Sequence, residues 1–138
     1  MAEAAGSSGA EGFELRVLGA AHAVCRLEPA ASLPAWARPA PDAILSVTRT
    51  DRELSVVCAE SIVPTEVRSS RGWRVLMLTA DLEHSLTGVL VSLAAPLAEA
   101  GVPIFAISSF DTDSLLVPGA ELGRALDALR AAGHRPAG

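Results

Sequence analysis

The sequence contains no tyrosine, and aromatic residues make up only 4% of it. That scarcity removes the stacking platforms on which single-stranded nucleic acids are held, and it leaves the core to aliphatic side chains. Positive charge is also in short supply: the formal net charge is -5, the pI is near 5.1, and no cluster of basic residues would neutralise a row of phosphates. Nucleic acid is therefore not an expected partner. Cysteine is limited to Cys25 and Cys58, each inside an apolar run with no second Cys or His at metal-ligand spacing. Reduced, buried thiols are expected, with no metal and no cofactor. No apolar run reaches the roughly 18 residues of a membrane span, and no basic stretch followed by an apolar one opens the chain. These absences predict a cytoplasmic protein that stays off membranes.

Half of the 138 residues are apolar and 20% are charged, enough for one domain or for two small units sharing a core. Residues 1–12, MAEAAGSSGAEG, are small and polar and read as a disordered lead. From Phe13 the pattern is strand-like: FELRVLG and HAVCRLEP flank Gly19-Ala20-Ala21, which predicts a hairpin or a long bent strand. SLPAWARPAP carries three prolines and permits at most a helical turn around Trp36. AILSVTRT and LSVVC, joined by the polar corner Asp51-Arg52-Glu53, predict a second hairpin. Val67 to Trp73, with Ser69, Ser70 and Gly72, reads as a junction that separates a unit at 13–68 from one at 69–138.

Beyond the junction, WRVLMLTA reads as a strand. Leu86, Leu90, Leu93 and Leu97 then share one face of a helix that starts near His84 or Ser85 and is stopped by Gly101. Pro96 deprives the Ser92 carbonyl of its helical donor and predicts a bend. PIFAIS predicts a buried strand beginning at Pro103, SLLV another, and Leu122, Leu126 and Leu129 a last helix over Glu121 to Ala132. The order from Trp73 is β-α-β-β-α, so the expected class is α+β, an antiparallel sheet with its helices on one face. A shift of sixty residues lays Ile44–Val57 on Ile104–Val117 without a gap, pairing Asp51 with Asp111 and Val57 with Val117. Duplication explains that spacing, with the first unit the degenerate copy. His22 and His134 are expected at the surface, and Trp36 and Trp73 in packing contacts.

The run SLTGVLVSLAAPLAEAGVPIFAISSFDTDSLLV (Ser85 to Val117), with SVTRTDRELSVVC (Ser46 to Cys58) and GWRVLML (Gly72 to Leu78) before it, resembles small ACT-domain proteins related to the cytosolic arginine sensor of the TOR pathway. The likeness extends from Leu15 to His134. It implies two tandem ACT-like units of the ferredoxin-like βαββαβ fold, side-by-side or tandem pairing, and an amino acid bound at an interface between units or copies. This chain departs from the family pattern in Ser109 and Phe110 before Asp111, in Ser114 where a second aromatic is usual, and in a last strand missing or reduced to HRP.

On physical grounds the helix start, Ser85 to Val89, presents unpaired amides and a positive dipole end to a carboxylate, and Gly88 lets ligand atoms come close. The SSFDTD turn brings Asp111 and Asp113, which suit an ammonium or a guanidinium. The resemblance implies ligand contacts from Leu86, Gly88, Val89, Phe110, Thr112 and Asp113, beside Ser85, Thr87, Ser108 and Asp111. The bland alternative is that the two aspartates cap their own turn. A calcium loop lacks its further oxygen ligands, and His84-Ser85 lacks a nucleophile elbow. The expectation is a regulatory module with no catalytic or metal residues. It would bind a small molecule, an amino acid, as a homo-oligomer or beside a regulated protein partner; the alternative is a dimerisation module with a vestigial site.

Overall fold

The structure, a computed structural model, describes residues 12–79 and 88–137. Its strands are β1 (Glu14–Val17), β2 (His22–Leu27), β3 (Ser46–Arg49), β4 (Leu54–Ala59), β5 (Ser69–Leu78), β6 (Phe105–Ser108), β7 (Asp113–Pro118) and β8 (Arg135–Ala137). Its helices are α1 (Val89–Glu99) and α2 (Leu122–Ala131). The fold is α+β and ferredoxin-like. The described residues of Leu18–Val75 form one compact unit, and the remainder form a second.

In the first unit the strands lie in the order β3-β4-β2-β5. The β3–β4 hairpin forms as expected, in register from Ser46↔Val57 to Arg49↔Leu54. β2 runs antiparallel to β4 from His22↔Ala59 to Leu27↔Leu54. The hairpin expected between Phe13 and Pro29 does not form, because β1 and β2 both pair with β5 rather than with each other. The predicted junction is likewise part of β5, where positive-φ Gly72 accommodates the irregular pairing. Ala23, Cys25, Leu54, Val56 and Cys58 make the core, with Trp36 packed at its margin. Both cysteines are free and buried, and burial raises their pKa values, that of Cys58 to about 11, so the thiols stay protonated.

No helix follows β2; residues 28–45 are held instead by side chains. The His22 ring is fully buried, its Nδ1–H donating to the Ala20 carbonyl (3.0 Å) and its Nε2 accepting from the Ile44 amide (3.0 Å). Arg49 donates to the carbonyls of Pro29 and Ala31. The second crossover is a single 3-10 turn, Glu60–Ile62, against which Arg71 donates to the Pro64 carbonyl (2.9 Å) and the Gly72 amide to Glu60 Oε1 (2.7 Å).

The second unit has the order β8-β1-β5-β7-β6. β1 pairs antiparallel with the end of β5, Leu15↔Leu78. β8 lies parallel to β1, Leu15↔Pro136, so the last strand is present and the sheet is not wholly antiparallel. Leu93 and Leu97 of α1, Ala125 and Leu129 of α2, Leu76 and Leu78 of β5, and Leu115 and Val117 of β7 share one core, which places both helices on one face. Among the described residues β6 pairs with β7 alone, and its residues are exposed or half-buried rather than buried as expected; it starts at Phe105 rather than Pro103. An apolar run cannot report whether a neighbour lies on each side of it.

The repeat is present in the geometry, at a spacing of one residue less than sequence matching predicts. β3, β4 and the 3-10 turn begin at Ser46, Leu54 and Glu60; β6, β7 and the matching 3-10 turn begin at Phe105, Asp113 and Gly119. Arg49↔Leu54 therefore corresponds to Ser108↔Asp113. Matching Asp51 to Asp111 aligned like residues but reversed the faces, since a one-residue slip turns every side chain over.

The candidate ligand site of the second unit

The SSFDTD turn is built by its own backbone and one hydroxyl. The Ser109 amide donates to the Thr112 carbonyl (2.8 Å), and Ser109 Oγ donates to the same carbonyl (3.0 Å). The matching turn of the first unit closes the same way, the Thr50 amide donating to the Glu53 carbonyl (2.9 Å). The side-chain anchor of each turn is a hydroxyl and not an aspartate carboxylate: Ser109 Oγ supplies it here and Thr50 Oγ1 there, the latter accepting from the Arg52 and Glu53 amides.

Strand alternation then sorts the candidate residues. Asp113, Leu115 and Val117 share a face of β7, and Leu115 and Val117 pack in the helix-side core. Asp113 is therefore half-buried on the helix-bearing face. Ser108, its cross-strand partner, lies on that face too, exposed. Phe110 is 81% exposed at the tip of the turn, and Asp111 beside it is exposed as well. Thr112 Oγ1 reaches the Leu78 carbonyl at the end of β5 (3.5 Å). That contact ties the turn to the sheet end from which the chain leaves for α1.

α1 opens on Gly88, whose left-handed φ of 78° is open to glycine at no steric cost, and no atom stands within 4 Å of where a Cβ would project. Val89 is buried in the core. The first amides of α1 have no acceptor within the helix. Ser85, Leu86 and Thr87 lie outside the described residues. Thus Ser108, Thr112 and Asp113 gather at the end of the sheet that feeds α1, while Phe110 and Asp111 project from the tip of the turn. Among the described residues no group of three His, Cys, Asp or Glu side chains could hold a metal.

Two residues expected at the surface are buried. His134 is 4% exposed, stacks on Phe13 with ring centroids 5.8 Å apart, and accepts from the Phe13 amide at Nδ1 (3.0 Å). Its Nε2–H donates to the Ser92 carbonyl (2.9 Å), the group that Pro96 leaves without a helical donor. The sequence signal was the orphaned carbonyl, which called for a donor from elsewhere in the fold. His22 in the first unit plays the corresponding part between a strand and its crossover.

With this geometry in view, the comparisons decide the family. A model of the ACT domain matches residues 68–131, and a model of an N-terminal domain matches residues 20–66. The crystal structure of a protein from Agobacterium tumefaciens is 35% identical, covering 91% of this chain and 92% of that one with a TM-score of 0.85. The chain contains an ACT domain. A Vibrio cholerae protein of unknown function, described as a possible transport protein, is 20% identical with a TM-score of 0.73 over 90% of this chain and 92% of that one. The regulatory subunit of aspartate kinase from Thermus thermophilus is 13% identical with a TM-score of 0.58, covering 86% and 97% of the two chains. At those identities the last two show a shared fold. A search of curated proteins gave no significant match. The ACT domain is a regulatory module, and no helix among the described residues is long and apolar enough to cross a membrane.

Proposed function

We propose that this ACT-domain protein is a non-enzymatic, cytoplasmic regulatory module that binds an amino acid at the sheet end joining β5, the SSFDTD turn and the start of α1, at an interface between units or between copies. The supporting observation is the position of Asp113: half-buried on the helix-bearing face, at the end of the sheet that leads to α1. A carboxylate there suits the ligand's cationic group, and the amides opening α1 at Gly88 and Val89 suit its carboxylate. Ser108 and Thr112 supply hydroxyls beside them. Phe110 and Asp111 belong to the rim, and Ser85, Leu86 and Thr87 complete the proposed loop. The finer kinship, to proteins related to the arginine sensor, rests on the Ser85–Val117 motif and belongs to this proposal.

Thermal-shift screening against the twenty amino acids tests it. One of them should raise the melting temperature of the wild type, and Asp113→Ala should abolish the shift while Asp111→Ala keeps most of it. If none shifts the wild type, or if Asp113→Ala leaves the shift intact, the ligand reading is wrong. The second reading, a dimerisation module with a vestigial site, is favoured by the apolar strand β6, which pairs with β7 alone among the described residues, and predicts an assembly indifferent to every metabolite tried.

A further inference from the structure

The internal repeat gives the candidate site of the second unit a counterpart in the first. In the second unit that site gathers Ser108 at the end of β6, Asp113 at the start of β7, and the chain that leaves β5 for α1. The corresponding parts of the first unit are Arg49 at the end of β3, Leu54 at the start of β4, and the chain that leaves β2 at Glu28. Leu54 packs with Ala31 and Trp36 of the crossover, and Arg49 lies directly opposite it, so both side chains belong to the crossover-bearing face. Ser108 and Asp113 lie on the corresponding face of their own unit.

The counterpart is already filled. From the end of β3 the Arg49 guanidinium reaches across the head of β4 and donates through Nη1 to the Pro29 carbonyl and through Nη2 to that of Ala31 (2.8 Å). Residues 28–31 form a turn closed by its own bond, the Ala31 amide donating to the Glu28 carbonyl (3.0 Å), and the ring of Pro29 fixes one of its dihedrals. Both acceptors are thus held in position independently of the cation. Such a pair of carbonyls suits the planar fork of a guanidinium better than the single point of an ammonium.

The charges of the two sites are complementary. The second unit offers a carboxylate at Asp113 and a short hydroxyl at Ser108 opposite; the first has a leucine in the carboxylate's place and a cation in the hydroxyl's place. A cation tethered to its own strand acts at an effective concentration of about millimolar or more, which a free metabolite below that level cannot match. We propose that the first unit holds a guanidinium-binding site of its own, filled by Arg49 as a tethered ligand, so that each chain takes up free ligand in its second unit alone. The site needs only the first unit, whereas the count of one ligand per chain rests on the function proposed above. Removing Arg49 opens the site to free alkylguanidinium ions.

Arg49→Ala in the full chain, probed with ethylguanidinium, tests the proposal. The amide NMR signals of Ala30 and Ala31 should move saturably as the probe is added, with half-saturation on the order of 10 mM. Ethylammonium at the same concentrations should leave them in place, and the wild type should not respond, because its own side chain occupies the site. The probe should also reverse the roughly threefold faster exchange expected at the Ala31 amide of the variant. Arg49→Met keeps the stem and removes the donors, so it carries the same titration, with guanidinium itself as probe, if the alanine variant fails to fold. Absence of saturable shifts in the folded variants, or shifts of equal size in the wild type, overturns the proposal. An amino acid that binds the wild type at two sites per chain overturns the count. If no amino acid binds at all, the function proposed above fails, and the guanidinium titration still decides the site in the first unit.

Discussion

The two units solve the same topological problem with different materials. Each has a hairpin closed by a four-residue turn with the same first-to-last backbone bond, followed at once by a 3-10 turn: Ser46 to Ile62 in one, Phe105 to Glu121 in the other. In the second unit the crossovers are helices whose leucines fill the core. In the first they are an irregular stretch, 28–45, and the 3-10 turn Glu60–Ile62 with the short loop that follows it. Helices satisfy their own backbone; irregular segments must borrow donors and acceptors. The first unit lends them from His22, Arg49 and Arg71, and long guanidinium groups with five donors each suit carbonyls that point in no regular direction. A helix can thus be lost from this fold where side chains from neighbouring strands take over its hydrogen bonds.

The widest test of that comparison is the core. Leu97 and Leu54 are both fully buried, one on helix α1 and one on β4 in a core that the irregular crossover helps to line. Leucine-to-alanine substitution at either should cost about 2–5 kcal/mol in urea unfolding. Hydrogen exchange should show the lost protection centred on the unit that carries the substitution. A much smaller cost at Leu54 would mean that the first unit has no packed core of its own.

His22→Ala should come next, at about 1–3 kcal/mol, because it leaves the Ile44 amide and the Ala20 carbonyl without their side-chain partner. Burial, the largest cause, lowers the pKa of His22 below its ordinary value of 6.5. Below 6.5 the unfolded chain binds a proton that the folded chain refuses, so stability is full above that value and falls as pH drops toward the depressed one. His22→Ala should flatten this part of the dependence, which urea midpoints measured across the interval would reveal.

Arg49→Ala should have a smaller effect, under about 1 kcal/mol, since the side chain is exposed and its bonds compete with water. Its signature should be local: faster amide exchange around Pro29 to Ala31, with the second unit unchanged. The smallest effect belongs to the turns. Thr50→Ala and Ser109→Ala should each cost about 0.5–1 kcal/mol, with Thr50 the costlier because its hydroxyl accepts two amides. Equal costs would show that the hydroxyls are incidental to both turns.

Much of the fold was legible in the residues. The leucine spacing located both helices, although α1 opens at Val89 rather than near His84 or Ser85, and the hairpin signal of Ser46 to Ala59 and the ACT motif located theirs. The sequence could not disclose partners in space. β1 and β2 look like a hairpin because each is strand-like and a small-residue connection separates them, yet their partner is the distant β5. PIFAIS looks buried because it is apolar, yet the residues of its strand are exposed or half-buried. In the candidate site, Asp111 and Asp113 were indistinguishable as letters, and only strand alternation sets one on the helix-bearing face and the other at the tip. The burial of His22 and His134 is hidden in the sequence because it depends on which backbone groups lack partners, and at Ser92 proline alone hints at one.

Pro96 and His134 carry a consequence for descent. A proline at that point of α1 leaves one carbonyl idle, and a ring on the segment before β8 makes use of it. Each residue is tolerable because of the other, so in an alignment of homologues the two columns should change together: where the proline reverts to an ordinary helix former, the ring loses its selective reason to remain.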